Sequence, residues 1–341
     1  ALTLILGLSI VFELIVAVFV RQPVLPFFTD YSGQKVPAAF YWSQADLFHG
    51  GPIQGIVGNR NILAFLALLA LITVGVQLTQ RLVRTRPAVA WLVTAVVVLA
   101  LTRSATAIAA AVIVAALRGV LVLARRAGPG RRRWLMGGGG GVSVRAIVAV
   151  STFWGALLQL FGKSDDLTGR VDIWTSVAEL AAQRPAFGWG WVSYWVPWVE
   201  PFDGLAVRNG VTYLQAHDAW LDVWLQLGVV GLVLFIALVV GTSYRAWWLA
   251  VDHPLDSLGR PLPRVALTLA PALILAALVA QSFVESRLLV EGGWVLLIVI
   301  AVKTKLENSD VALELGAAGS GETTDARPGK AASTFRAAAP R

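Results

Sequence analysis

Long apolar runs recur along almost the whole chain, and each is about the length of one membrane crossing. A helix needs about 20 apolar residues to cross the hydrocarbon core of a bilayer. By that measure we predict eight spans, near residues 1–20, 62–80, 88–102, 105–124, 142–161, 219–241, 265–284 and 287–302. Only 14% of the residues are charged, whereas soluble proteins carry about a quarter. The sequence therefore predicts an all-α, polytopic bundle of transmembrane helices.

The basic loops predict how this bundle is oriented. Arginine and lysine cluster near residues 81–86, 125–133, 245–264 and 303–305, and eight alternating spans put all four clusters on one face. Cytoplasmic loops are enriched in these residues, so that face is predicted to be cytoplasmic. The loops also account for the net charge of +8 without a nucleic-acid partner. The opposite, extracytoplasmic face receives one large loop over about 162–218, in which we expect short helices.

Composition also divides the chain and excludes some chemistry. We predict a transmembrane domain over residues 1–306 and a disordered cytoplasmic tail over 307–341, where Ala, Gly, Ser and Thr replace the apolar runs. Because the chain starts inside an apolar run without a methionine, we expect further spans before residue 1. It has no cysteine, which excludes disulfides, thiolate metal sites and cysteine nucleophiles. No HExxH motif or histidine cluster favours a metal ion.

Polar residues gather at several separate points of the predicted extracytoplasmic face. Convergence of basic and hydrogen-bonding groups from several helices is how a helical membrane protein builds a site. The candidates all precede a span or lie in an outer turn or loop: Asn59, Arg60, Asn61, Arg103, Ser104, Arg170, His217 and Asp218.

His217 and the acidic residues after it form the most informative group. Imidazole exchanges a proton near neutral pH, so His217 is a candidate general base; the alternative is an interfacial residue that caps a helix or contacts lipid headgroups. Asp218, Asp222 and Gln226 follow on one helical face, which should face protein or water rather than lipid. We expect Asp218 to be an N-cap and Asp222 to be the buried partner of an arginine. The alternative is a carboxylate pair for glycosidase-type catalysis or a divalent metal.

Arg170 lies near the start of an expected amphipathic helix that runs from Thr168 to about Gln183. We expect Val171, Trp174 and Leu180 of this helix to rest on the membrane surface. Arg170 would bind an anionic ligand there or, alternatively, lipid headgroups. The arginines at 60 and 103 have the same two interpretations, as phosphate ligands or as snorkelling anchors.

An aromatic cluster follows this helix in the stretch "FGWGW" and continues at Trp195 and Trp198. Tryptophans at the membrane–water interface form such clusters. Tryptophans also stack on sugar rings, and the sequence alone leaves both interpretations open.

Five segments, in this order, resemble the O-antigen ligase family and the polymerases related to it. They are "GNRN" before a span, "LTRSATA" at an outer hairpin, "LTGRVDIW", "RPAFGWGW" and "AHDAWLDVWLQLGVVGLVLF". The resemblance covers roughly residues 50–302. It implies that a glycan is transferred from a polyprenyl diphosphate carrier to the hydroxyl of a glycan or lipid acceptor, outside the cell membrane. It implies no metal and no cofactor.

The resemblance also implies roles for individual residues. His217 matches the family histidine and would take the proton of the acceptor hydroxyl as its oxygen attacks the anomeric carbon, with inversion. Arg170 matches the arginine of the large loop and, helped by Arg103 or Arg60, would neutralise the departing diphosphate. The remaining candidates would bind diphosphate or glycan.

This chain departs from the family pattern at three positions. The hairpin reads Arg103-Ser104 where Ser-Arg is common, Asp218 stands where Asn often follows the histidine, and Gln226 stands where Glu is frequent. The alternatives to a ligase are a repeat-unit polymerase with the same chemistry, a transporter or flippase for a lipid-linked glycan, and a scaffold. Transporters often have internal repeats and charges at the bilayer midplane, and neither is evident here.

Overall fold

The structure, a computed structural model, describes residues 1–27, 40–127, 164–208, 211–252 and 265–319. Two-residue strands β1 (Val207–Arg208) and β2 (Val211–Thr212) form one antiparallel hairpin. Short 3-10 helices cover Leu47–His49, Ala266–Leu269 and Ser286–Leu288. The α-helices in the described part, in chain order, are α1 (Leu2–Ile15, continued by a π-helical turn over Val16–Val20), α2 (Arg60–Thr79), α3 (Thr85–Leu101), α4 (Ala105–Arg126), α5 (Ser164–Gln183), α6 (Ala219–Val251), α7 (Ala270–Ser282) and α8 (Glu291–Gly319).

Four of these helices are long and apolar enough to cross a membrane: α1 with its π-helical turn, α2, α4 and α6. Helix α3 and the stretch Ala266–Ser282 are apolar but shorter. The predicted all-α, polytopic architecture is therefore confirmed, whereas the count of eight spans is not. The predicted span near 142–161 lies outside the described residues. Helix α8 continues beyond the predicted tail boundary at residue 306 to Gly319, and residues 320–341 also lie outside the described part.

Three helices begin at a residue whose side chain caps the helix N-terminus. Asn59 accepts from the amides of residues 61 and 62 at the start of α2. Ser104 accepts from the amide of residue 107 in α4, and Asp218 accepts from those of residues 220 and 221 in α6. Such caps satisfy amides that have no partner within the helix. The three caps explain where the spans start, and all three residues are among the predicted site candidates.

The apolar faces of the helices meet in three clusters. Helices α2, α4, α6, α7 and α8 share the largest cluster, and α1 and α3 pack on the other side of α2. The third cluster joins α5 to the segment 189–216 and to the start of α6. In this third cluster Leu180 is buried, and Trp174 donates its indole N–H to the Ala216 carbonyl. The prediction that they rest on the membrane is wrong for Leu180 and Trp174, because the loop that follows α5 folds back over that face; Val171 is 51% exposed, and its position at the membrane stays a prediction.

Helix α6 is interrupted at Gly228, whose φ of 66° and ψ of −168° are not helical. The segment 185–190 fills the interruption, so that backbone groups on both sides of it remain hydrogen-bonded. A Cβ at residue 228 would lie 2.3 Å from the Ala186 carbonyl carbon, and therefore only glycine fits. The amides of Trp189 and Gly190 donate to the carbonyls of Leu225 and Gln226, and those of Val229 and Val230 donate to Pro185 and Ala186, over 2.7 to 3.2 Å.

Candidate functional site

Three predicted site residues meet at one buried carboxylate, Glu285, in the link between α7 and α8. Glu285 is 7% exposed. The Nδ1 atom of His217 lies 3.2 Å from its Oε2 atom. Asn61 donates its side-chain amide to Oε1 over 2.9 Å, and the Arg170 Nη2 atom lies 3.5 Å from the same oxygen. Side chains that are far apart in the sequence are thus brought into one cluster, which we call the Glu285 cluster.

Two further contacts extend the Glu285 cluster. Arg170 donates from Nη1 to the Val284 carbonyl over 2.8 Å, which fixes the guanidinium against the α7–α8 link. Ser104 donates its hydroxyl to the side-chain oxygen of Asn61 over 2.9 Å. Residues in or just before the first turns of α2, α4 and α6, together with Arg170 of α5, therefore each contribute one polar side chain to the same place.

The electrostatics of the cluster keep Glu285 ionised. Burial by itself raises the pKa of the Glu285 carboxyl, but the hydrogen bond and charge of His217, followed by the charges of Arg170 and Arg287, lower that pKa to about 2. A carboxylate facing Nδ1 favours a proton on that nitrogen, and the neutral imidazole then has its free lone pair on Nε2. In this arrangement Glu285 binds Nδ1 of His217, and Nε2, on the other side of the ring, can act as a base.

The backbone on both sides of His217 fixes the direction of its imidazole. His217 has a φ of 53°, in the left-handed region that few residues other than glycine adopt. The preceding residue, Ala216, donates its amide to the Asp222 carboxylate over 3.1 Å, and the following residue caps α6. The ring of Tyr213 packs edge-on against the imidazole, with 5.5 Å between the centroids.

Asp222 and Gln226 of α6 face protein, as predicted, but Asp222 does not have the predicted partner. Its carboxylate, 2% exposed, is bound by the Ala216 amide and by the Ser286 hydroxyl. The predicted arginine partner is therefore wrong: a backbone amide and a hydroxyl satisfy the charge. Gln226, one turn deeper, accepts from the amides of residues 192 and 193. Asp222 therefore stabilises the backbone next to His217, and Gln226 stabilises the loop at residues 192–193.

The N-cap prediction for Asp218 is confirmed by its bonds to the first amides of α6. Burial raises the pKa of the Asp218 carboxyl to about 6, although the amides of Leu221 and Trp220 act in the opposite direction. The charge of this residue, which directly follows the histidine, therefore changes near neutral pH.

The other three candidates lie in different surroundings. Asn59 is exposed, and its side chain is engaged in capping α2, where Arg60 is the first helical residue. Arg103 has a φ of 48° and directs its guanidinium towards Gly50, so that Nη2 would lie 3.3 Å from a Cβ at that residue. Of the residues in "GNRN" and "TRS", the structure therefore brings Asn61 and Ser104 to the Glu285 cluster.

Glu285 and Ser286, which bind His217 and Asp222 respectively, are not among the residues predicted from the sequence. Both lie in the link "ESRLLVEGG", between two predicted spans on the same face as His217. An acidic residue in so short and apolar a link was the available signal. In the described part of the chain, no three His, Asp or Glu side chains are grouped to hold a metal ion. The residues that do meet are suited to proton transfer and to anion binding.

Residues 88–236 match a family model described as O-Antigen ligase. The match confirms the resemblance over this region, and it supports a membrane enzyme of the ligase or glycosyltransferase type. Ser104, Arg170 and His217 lie within the matched region, while Asn61 and Glu285 lie outside it. Comparison with curated proteins and with solved structures gave no match.

Proposed function

We propose that this chain, with its O-antigen ligase segment, transfers a glycan from a polyprenyl diphosphate carrier to an acceptor hydroxyl. The reaction would take place at the extracytoplasmic face of the cell membrane, without a metal ion or cofactor. The convergence of His217 and Arg170 on Glu285 carries this proposal, because it combines a base and an anion-binding group beside the start of the apolar helix α6. The prediction that basic loops face the cytoplasm supports the extracytoplasmic position of the site.

His217 acts as the general base. Glu285 accepts the Nδ1–H bond, so that Nε2 faces the acceptor hydroxyl and removes its proton. As the acceptor oxygen bonds to the anomeric carbon, the bond from that carbon to the diphosphate oxygen breaks. The electron pair leaves with the diphosphate. Attack from the side opposite the leaving group inverts the anomeric configuration.

Arg170 binds the departing diphosphate. Its contacts with the Val284 carbonyl and with Glu285 use only part of the five-donor guanidinium, and the Glu285 contact is long at 3.5 Å. The remaining donors are available to phosphate oxygens, whose charge grows as the bond breaks. We propose that Arg60 and Arg103 assist at the edge of the site.

The remaining candidates bind or position the substrate. Asn61 and Ser104 form a hydrogen-bonded chain that ends at Glu285, and a substrate hydroxyl can join this chain. Asn59 and Asp218 flank it at the starts of α2 and α6. These four residues are proposed to contact the glycan or the diphosphate.

The substitution His217→Ala tests the assignment. In proteoliposomes supplied with a polyprenyl diphosphate-linked glycan, product formation should fall by about 100- to 10,000-fold, the usual contribution of a general base. His49→Ala is the matched control, since it removes an imidazole from the 3-10 helix Leu47–His49 and should leave turnover unchanged. Normal product formation by His217→Ala would remove the catalytic role of His217, whereas no product formation by the unchanged protein would favour a transporter.

A repeat-unit polymerase uses the same chemistry with a second carrier-linked glycan as the acceptor, and the family match is compatible with both activities. The products distinguish them. Extension of one donor into a ladder identifies a polymerase, and a single transfer to a foreign acceptor identifies a ligase.

A further inference from the structure

Helix α6 is longer than a membrane crossing requires. Its 33 residues rise about 50 Å, and the hydrocarbon core of a bilayer is about 30 Å thick. Part of α6 must therefore extend beyond the hydrocarbon. The break at Gly228 separates two parts of very different character.

The part before Gly228 is packed in protein, and the part after it has the character of a span. Before the break, Asp222 and Gln226 are buried and hydrogen-bonded within the protein. After it, the stretch 229–241 has no polar side chain, and Val233 is 57% and Leu234 66% exposed. About 20 residues counted from Gly228 end near the pair at 247–248, two tryptophans of the kind found at membrane interfaces.

Two aromatic side chains are exposed beside the break. Phe187 is 75% and Trp191 46% exposed, on the segment that pairs with the broken helix. Of the tryptophans near them, Trp189 donates to the Leu180 carbonyl and Trp195 is buried, whereas Trp198, further along the loop, is 80% exposed. The exposed apolar surface continues from Phe187 and Trp191 along α6 through Leu227 and the valines at 229 and 230.

We propose that Gly228 marks the membrane interface on the side of the Glu285 cluster, and that Phe187 and Trp191 anchor the 185–191 segment in the lipid headgroups of that leaflet. The partner is the bilayer itself. Continuity with the exposed face of a membrane-spanning helix carries this assignment. Non-helical backbone is tolerated at this depth because the segment and the broken helix satisfy each other's amides and carbonyls.

This interface assigns a depth to the site. His217 stands two residues before α6, at most about 20 Å from Gly228 along the helix axis, and closer to the hydrocarbon if the helix is tilted. The Glu285 cluster then lies in the layer of headgroups and water, which solvates charged side chains. The inference does not depend on the reaction proposed above.

The absence of cysteine allows a direct test with single-cysteine variants. A nitroxide label is attached to Phe187→Cys or Trp191→Cys in vesicles of phosphatidylethanolamine and phosphatidylglycerol. Power saturation then measures the accessibility of each label to oxygen and to a water-soluble nickel chelate. Val233→Cys gives the hydrocarbon reference, and Thr175→Cys on the exposed face of α5 gives the water reference.

Labels at 187 and 191 should both have an oxygen-to-nickel accessibility ratio severalfold above that at 175 and below that at 233. A ratio at either site equal to that at 175 would overturn the proposal and favour a glycan as the occupant of the aromatic pair. The measurement needs no substrate. Failure of the interface assignment is therefore distinguishable from failure of the proposed reaction.

Discussion

Two glutamates are buried to a similar extent but have partners of different kinds. Glu13, in α1, is 3% exposed and accepts from the amides of Gln54 and Gly55, both over 2.8 Å, and from the Ser43 hydroxyl. Backbone donors cannot move unless the chain moves. Glu13 therefore fastens the segment 43–55 to α1, and its role is structural.

Glu285 is 7% exposed, and the partners of its carboxylate are side chains from three separate parts of the chain: Asn61, Arg170 and His217. Two of them can carry a charge, and one can exchange a proton with a substrate. The comparison teaches that burial alone does not identify a functional carboxylate. The kind of donor that binds each carboxylate, backbone or side chain, distinguishes the two glutamates, and the following substitutions test that distinction.

The largest effect is expected for Glu285→Gln. The amide keeps the shape of the side chain but loses the charge that favours a proton on Nδ1 of His217. Turnover per folded molecule in proteoliposomes at saturating donor should fall by about 100-fold or more. Turnover equal to that of the unchanged protein would show that Glu285, like Glu13, is structural.

The same substitution at Glu13 should have the opposite pattern. In Glu13→Gln one oxygen becomes an NH2 group that faces donors, which should cost about 1–3 kcal/mol of stability. A lower thermal unfolding midpoint in detergent, with unchanged turnover per folded molecule, is the expected result. Loss of turnover without loss of stability in Glu13→Gln would contradict the structural role of Glu13.

A smaller effect is expected for Arg170→Lys. Lysine keeps the charge but lacks the planar fork that contacts both the Val284 carbonyl and Glu285. The KM for the carrier-linked donor should rise by about tenfold, an energy of about 1.4 kcal/mol. Arg184→Lys, at the end of α5, is the matched control and should leave KM unchanged. An unchanged KM in Arg170→Lys would mean that this arginine does not bind the diphosphate.

The smallest effect is expected for Asp218→Asn, and it should depend on pH. The folded-state pKa of Asp218, about 6, is above its ordinary value of 3.8, so its protonated form favours folding below about 4 and this contribution is lost as pH rises through about 6. Asparagine can keep the cap without the charge. At about pH 7.5 the variant should be more stable and bind the anionic donor severalfold more tightly.

Near pH 5, where Asp218 is largely protonated, the variant and the unchanged protein should converge in donor KM. Titration of both between about pH 5 and pH 8 checks this. Parallel curves would show that the Asp218 charge does not act on the donor.

The sequence predicted the helices well, because apolar runs and capping residues are local signals. The break in α6 was not predicted: Gly228 reads as an ordinary glycine within an apolar run. Its conformation depends on the 185–190 segment, a tertiary partner that no local pattern reveals. For the same reason the buried face of α5 was wrongly assigned to the membrane.

The site was predicted in part. His217, Arg170, Asn61 and Ser104 stand in recognisable segments, and the structure joins them. Glu285 stands in a link without a motif, and its importance comes from contacts with residues up to 224 positions away. A sequence can indicate which polar residues share a face, but the pairing among them is set by how the helices pack.

Glu285 and Ser286 are consecutive residues, and both bind the segment 217–222. Glu285 binds His217, and Ser286 binds Asp222. His217 and Asp222 are thereby held by two adjacent residues of the α7–α8 link. Spanning helices change their tilt in a thinner or thicker bilayer. The distance between the Glu285 and Ser286 contacts, however, is set by two adjacent residues. In the proposed reaction, proton removal by His217 would therefore depend little on the lipid composition of the membrane.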